Sequence, residues 1–204
     1  MAFGLVLFAA CGSSDDDIDS DEEAQRAYLG LDLSVEKSLA LGFAGFNAAS
    51  SANIAPQATT GGAAGDLTIT GQVDQGSSDN KGMRLRVGMV DYTDGVILVE
   101  TEDDTELEIN LTYDTSTDVA TQPFLNLSLR GIPETTATTG TLTGTLLGDY
   151  TMSGDIEGTA TLNLSFTGEI EDDGAGNTIR SAGTTHVTGT ASSGDGVFDV
   201  DLML

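Results

Sequence analysis

The sequence predicts a mainly β protein: an antiparallel meander of about eight to ten strands, closed as a barrel or folded as a sandwich, with one N-terminal amphipathic helix packed on it. Three observations predict it. Between Gly140 and Glu171 every even position is apolar or glycine, while the odd positions are Thr, Asp, Glu, Ser or Asn, with Leu147 as the exception. That period of two marks strands with one dry face and one wet face. Further apolar segments of strand length follow one another between Asp-, Asn- and Gly-rich turns. Between Asp32 and Ser51 alone the period changes to three and four, which is a helix.

The chain begins with a short apolar run, Met1 to Ala10, that ends in small residues before Cys11, the only cysteine. Phe8-Ala9-Ala10-Cys11 resembles the lipobox of a bacterial lipoprotein signal, with Phe standing where Leu is usual. The resemblance implies a signal peptide over residues 1–10, cleavage before Cys11, and lipid on its sulfur and new amino group. It also implies an exported protein held at the membrane by that lipid. Gly12, rather than an aspartate, follows the cysteine, which in such lipoproteins favours the outer membrane. The apolar run is about half of what a transmembrane helix needs. With one cysteine there is no intramolecular disulfide, so the fold stands on packing alone.

Asp15 to Glu23 is an acidic run, read as a flexible tether over residues 11–24 that leads into a single β-rich domain over residues 25–204. The helix is expected near residues 33–51. Val35, Leu39, Phe43 and Phe46 form its sheet-facing stripe, with Glu36 and Lys37 on the polar face. Gly42 and Gly45 each cost such a helix about 1 kcal/mol, so it depends on the sheet for its stability. Asn53 to Gly65 reads as a connecting loop, on Pro56 and Gly61-Gly62.

Strands then follow at residues 66–73, 83–89, 96–99, 107–113 and 125–129. The long alternating stretch must fold back on itself, because natural strands rarely exceed about ten residues. Leu147-Gly148-Asp149 is the expected turn, since a three-residue loop there keeps the parity. Large side chains then meet glycines across the ladder. Asp172 to Asn177 is a turn, and residues 179–191 and 198–204 complete the sheet.

The formal charge is −26, from 33 acidic and 7 basic residues, which repels nucleic acid and anionic headgroups. His186 is the only histidine, and its place in a strand points it outward, so no nucleophile–histidine–acid set is legible. No catalytic residue and no cofactor is assigned, and no dedicated metal site. Asp172, Asp173 and Asn177 share a glycine-rich loop whose oxygens suit calcium weakly. Asp74, Asp79 and Asn80 in another loop, and Glu100, Glu102, Asp103, Asp104 and Glu106 at a hairpin tip, are candidates on the same ground.

Phe43, Phe46, Met83, Met89, Met152 and Phe166 are the candidate contacts for a small apolar ligand held between helix and sheet. The expected function is that of a lipid-anchored, non-enzymatic envelope module that binds a ligand or an envelope protein, or serves a surface-structural role. The alternatives are a carrier of an apolar or lipid ligand and a transmembrane β-barrel of the outer membrane.

Overall fold

A computed structural model describes residues 17–100, 106–133 and 139–204. Two helices come first, α1 (Asp21–Leu29) and α2 (Asp32–Ala48). Twelve strands follow: β1 (Asn53–Thr60), β2 (Ala64–Val73), β3 (Lys81–Thr93), β4 (Ile97–Glu100), β5 (Glu106–Ile109), β6 (Leu111–Asp114), β7 (Phe124–Arg130), β8 (Gly140–Gly154), β9 (Gly158–Asp172), β10 (Thr178–Arg180), β11 (His186–Ser192) and β12 (Val197–Met203). Ten of them form one antiparallel sheet curled into a partial ring, and β4 and β5 pair as a separate hairpin.

The sheet has two broken lanes. β6 and β7 lie end to end between β3 and β8, and β10 and β11 lie end to end along β9. Strands β1 and β12 are its two open edges. Helix α1 packs beside β12, and α2 crosses β1, β2 and β3 and touches β10, so the helical pair bridges the two edges.

The even-numbered face of β8 and β9 points inward as expected. Leu142, Leu146, Tyr150, Met152, Ala160, Leu162, Leu164, Phe166 and Ile170 belong to one core cluster. Their partners across the ladder alternate in size: Leu142 faces Gly168, Gly144 faces Phe166, Gly148 faces Leu162, and Tyr150 faces Ala160. A larger residue at Gly144 has no room, because a Cβ there would lie 2.7 Å from both the Asn126 carbonyl oxygen and Leu127 Cδ2.

The turn, however, is at Asp155-Ile156-Glu157, and each strand runs 15 residues. Both loop positions keep the parity; distant partners decide between them. Leu147, the apolar exception, sits mid-strand on the outer face, opposite Phe124 of β7, whose ring is covered by the Arg86 guanidinium at 4.8 Å.

Three further expectations change. The acidic segment does not extend as a tether to residue 24. Ile18 is fully buried, Ser20 caps α1 by accepting from the Glu23 amide, and Asp21, Glu22 and Glu23 fill the first turn, where the helix dipole favours acids. Residues 53–60 are a strand rather than a loop. Only Ile54 of this edge strand is buried, and its register shifts around Pro56, where the missing N–H is tolerated. Finally, α2 turns a different stripe to the sheet: Ser34, Val35, Ser38, Leu39, Gly42 and Gly45 are buried, whereas Phe43 and Phe46 are half-buried on its flank. The small residues allow close approach. A Cβ at Gly42 would stand 2.6 Å from Met83 Sδ, and one at Gly45 2.8 Å from Ile54 Cδ1. The helix glycines therefore meet large strand side chains, not strand glycines.

Side-chain pins hold the helices to the sheet. The Tyr113 hydroxyl donates to the Ala27 carbonyl at the end of α1, at 2.7 Å. Asp94, whose side chain is 2% exposed, accepts from Lys37 of α2, from the Tyr92 hydroxyl and from the Gly62 amide. Burial pushes its pKa up, but the bonds from Lys37, Tyr92 and Gly62 outweigh burial and hold it below the usual carboxylate value. A depressed folded-state pKa contributes stability that is complete above the unfolded value of about 4 and is lost as pH falls through the folded value. Asp94→Asn should therefore cost about 1–2 kcal/mol near pH 7, and the gap from wild type should shrink below about pH 4. Urea melts of both proteins across that range check it.

Candidate functional site

The break between β10 and β11 leaves an open hollow on the surface. Along most of β9 the neighbouring lane supplies backbone partners. At Ser181 the chain leaves the lane and returns at His186. The Ser181 amide still donates to the Glu169 carbonyl, but the Glu169 amide donates to the Thr184 side-chain oxygen, which replaces a backbone acceptor. Thr184 in turn closes the loop by donating from its hydroxyl to the Ser181 carbonyl at 2.7 Å. Gly183 has a φ of 74°, which favours glycine. The chain then rejoins through a pair of backbone bonds between Thr185 and Leu204.

The N-terminal turn of α2 faces this gap. Arg180, with a side chain 11% exposed, reaches across to it. Its Nη1 and Nη2 donate to the two carboxylate oxygens of Asp32 at 2.8 and 2.7 Å, and its Nε donates to Glu36 Oε2 at 2.8 Å. The Tyr28 hydroxyl donates to Asp32 Oδ1 at 2.7 Å. Burial works against the charge on Arg180, but Asp32 and Glu36 outweigh it and raise its pKa above the ordinary arginine value. Burial, then the charge of Asp32, pushes the Tyr28 hydroxyl well above its usual value, so it stays a donor. This fork fixes the wall of the hollow and leaves Arg180 engaged by its own chain.

The hollow, open to solvent, has a volume of about 350 Å³ and is lined by Asp32, Glu36, Arg180, Ile179, Ser181, Ala182, Gly183, Thr185 and Leu204. That volume is at the small end of the range of about 300–1,000 Å³ typical of ligand pockets. Two of the lining residues carry buried hydroxyls, Ser181 at 7% and Thr185 at 1% exposure, and neither oxygen has a hydrogen-bond partner in the protein. A buried hydroxyl without a partner costs about 1–3 kcal/mol, so two on one short loop mark it as the place where a partner would be gained.

The residues singled out from the sequence are distributed differently. Met83, Met89, Met152 and Phe166 are fully packed in the core cluster. Phe43 and Phe46 together line an open hollow of about 320 Å³ with Lys81, Ile132 and Pro133, and Phe43 also lines one of about 240 Å³ with Ala40, Ala44 and Thr178 along the α2–β10 seam. Phe46 lies beneath the Lys81 ammonium, 4.7 Å from the ring centroid. The six side chains are therefore not gathered around one cavity, and Gly42 rests on Met83 where the sequence suggested a space.

Of the calcium candidates, Asp173 accepts from the Asn177 side-chain amide and from the Asn177 and Ala175 amides, which hold its carboxyl below the usual range. Asp172 accepts from the Gly174 amide. These oxygens close the turn. Asp74 pairs with Arg84, and Asn80 accepts from the Gly131 amide. His186 is on the surface, as its alternation predicts, 2.7 Å from Asp201. Cys11, and the hairpin tip from residue 101 to 105, lie outside the described residues.

Sequence reading misses Ser181, Thr185 and Arg180 because it takes 179–191 as one strand. The signal for a break is Ser181-Ala182-Gly183, small residues with a glycine where a β-branched pair would continue a ladder. A scan against models of protein families, a search of curated proteins and a search of solved structures found no match to this chain.

Proposed function

We propose that the chain is an exported, lipid-tethered envelope domain that acts by binding rather than by catalysis. The observation that carries binding is the hollow at the broken lane, a preformed concavity with apolar walls and two buried hydroxyls that lack partners. The use of the charged groups supports a non-catalytic role. Arg180 is engaged by Asp32 and Glu36, Asp94 is held by three donors, and His186 pairs with Asp201 in the open.

The orientation of the sheet supports a domain that stands outside the bilayer. A membrane-spanning barrel turns its apolar face to lipid. Here the odd-numbered face of β8 and β9, rich in Thr, Ser, Asp, Glu and Asn, is the outward and exposed one.

The lipid attachment rests on the likeness of Phe8-Ala9-Ala10-Cys11 to a lipobox. The folded part begins by Ile18, so only a handful of residues would separate lipid from domain, and at about 3.3–3.6 Å per extended residue the domain would ride close to the membrane surface. In cells fed radiolabelled palmitate, the wild type should take up label and Cys11→Ala should not. Equal labelling of the two would remove Cys11 as the attachment point.

A further inference from the structure

We propose that the hollow at the β10–β11 break takes a small uncharged amphiphile, whose polar group pairs with the Ser181 and Thr185 hydroxyls and whose apolar body lies against Ile179, Ala182 and Leu204. The inference rests on the reading of this domain as a binding module and adds the class of ligand. Three features of the hollow select it.

The first is the chemistry of the unpartnered groups. Each hydroxyl offers one hydrogen and two lone pairs, so its best complement is a group that both donates and accepts, such as an alcohol or an amide. Neither oxygen is open to the hollow in this conformer, and that of Thr185 lies against Gly168 of β9. A turn of the side chain about χ1 presents each of them, and such turns between staggered wells are a normal response to an occupant.

The second is charge. The wall holds Asp32, Glu36 and Arg180, one cation against two carboxylates, within a chain of formal charge −26. An anion is repelled. A cation would have to compete with Arg180, which already holds both oxygens of Asp32 and Oε2 of Glu36.

The third is size and lining. About 350 Å³, with Ile179, Ala182 and Leu204 as its apolar lining, holds a short apolar body.

The test uses three six-carbon probes that share one body and differ in the head: 1-hexanol, hexylammonium and hexanoate. Each is titrated into the ¹⁵N-labelled protein, and amide shifts are followed. 1-Hexanol should give saturable shifts at 179–185, at 32–36 and at Leu204, with the two ions at least about ten-fold weaker. The double variant Ser181→Ala, Thr185→Val keeps the shape and should weaken 1-hexanol by about five-fold or more, with the rest of the spectrum unchanged. Preference for either ion would overturn the ligand class and leave the binding reading standing. Unweakened 1-hexanol binding by the double variant would overturn the role of the hydroxyls and assign them water as partner. Shifts that never saturate with any probe, or that saturate elsewhere, would overturn both the ligand and the binding reading at this hollow.

Discussion

Replacing Phe166 with Ala should destabilise the domain by about 3–5 kcal/mol. Phe166 is 1% exposed and sits at the centre of the inward face of β9. Across the ladder it faces Gly144 on one side and Val187 on the other, and its ring lies 6.0 Å, centroid to centroid, from that of Tyr28 on α1. The ring thus joins the inward face of the sheet to the helix. A cavity left there cannot close easily. The strands beneath it are held in continuous ladders on both sides of β9, and Tyr28 above it is fixed through its hydroxyl to Asp32. Incomplete collapse places the loss at the upper part of the range. Thr167→Ala, one residue along on the exposed face, should change stability by about 0.5 kcal/mol or less. Urea denaturation of both variants, with m-values compared, checks the pair.

The second large effect separates two faces of α2. Leu39→Ala should cost about 3 kcal/mol, because Leu39 is 1% exposed and lies on the stripe that meets the sheet. Phe43→Ala should cost about 1 kcal/mol despite removing a larger side chain, because the ring is half-buried on the flank and leaves no enclosed cavity. Volume alone predicts the opposite order. Thermal or denaturant melts of the two variants decide it, and a larger loss for Phe43 would mean that the helix is rotated about its axis.

That reversal shows what was legible in the chain and what was not. The period-two stretch 140–171 is readable because every second side chain takes part in one core, and one residue of slip would expose all of them. The existence of α2 is readable from its change of period. Its rotation is not: Val35 and Leu39 face the sheet as the apolar stripe suggests, but close docking continues that face through Ser34, Ser38, Gly42 and Gly45 rather than Phe43 and Phe46. A helix that must lie on Met83 and Ile54 buries its small residues there and pushes its rings aside.

Strand β1 is hidden because an edge strand buries little, and only Ile54 reports it. Helix α1 is hidden because acids suggest repulsion, although Ser20-Asp21-Glu22-Glu23 carries the Ser-x-x-Glu spacing of a capped start. The hollow is the least legible feature. Its walls come from 32–36, 179–185 and Leu204, which no local pattern connects. Only the topology, with two strands sharing one lane and the chain leaving it between them, brings them together.

The reading of the chain as a tethered domain standing outside the bilayer is tested most directly by fractionation. Residues 1–11 are replaced by a signal peptide that is cleaved without lipid attachment, and the exported protein is released by osmotic shock. The expected result is a folded protein in the soluble fraction without detergent, since the apolar face of β8 and β9 is covered by α1, α2 and the rest of the sheet, and the outward face is polar. A protein that stays with the outer membrane and needs detergent for extraction would contradict it and would point to a sheet that faces lipid.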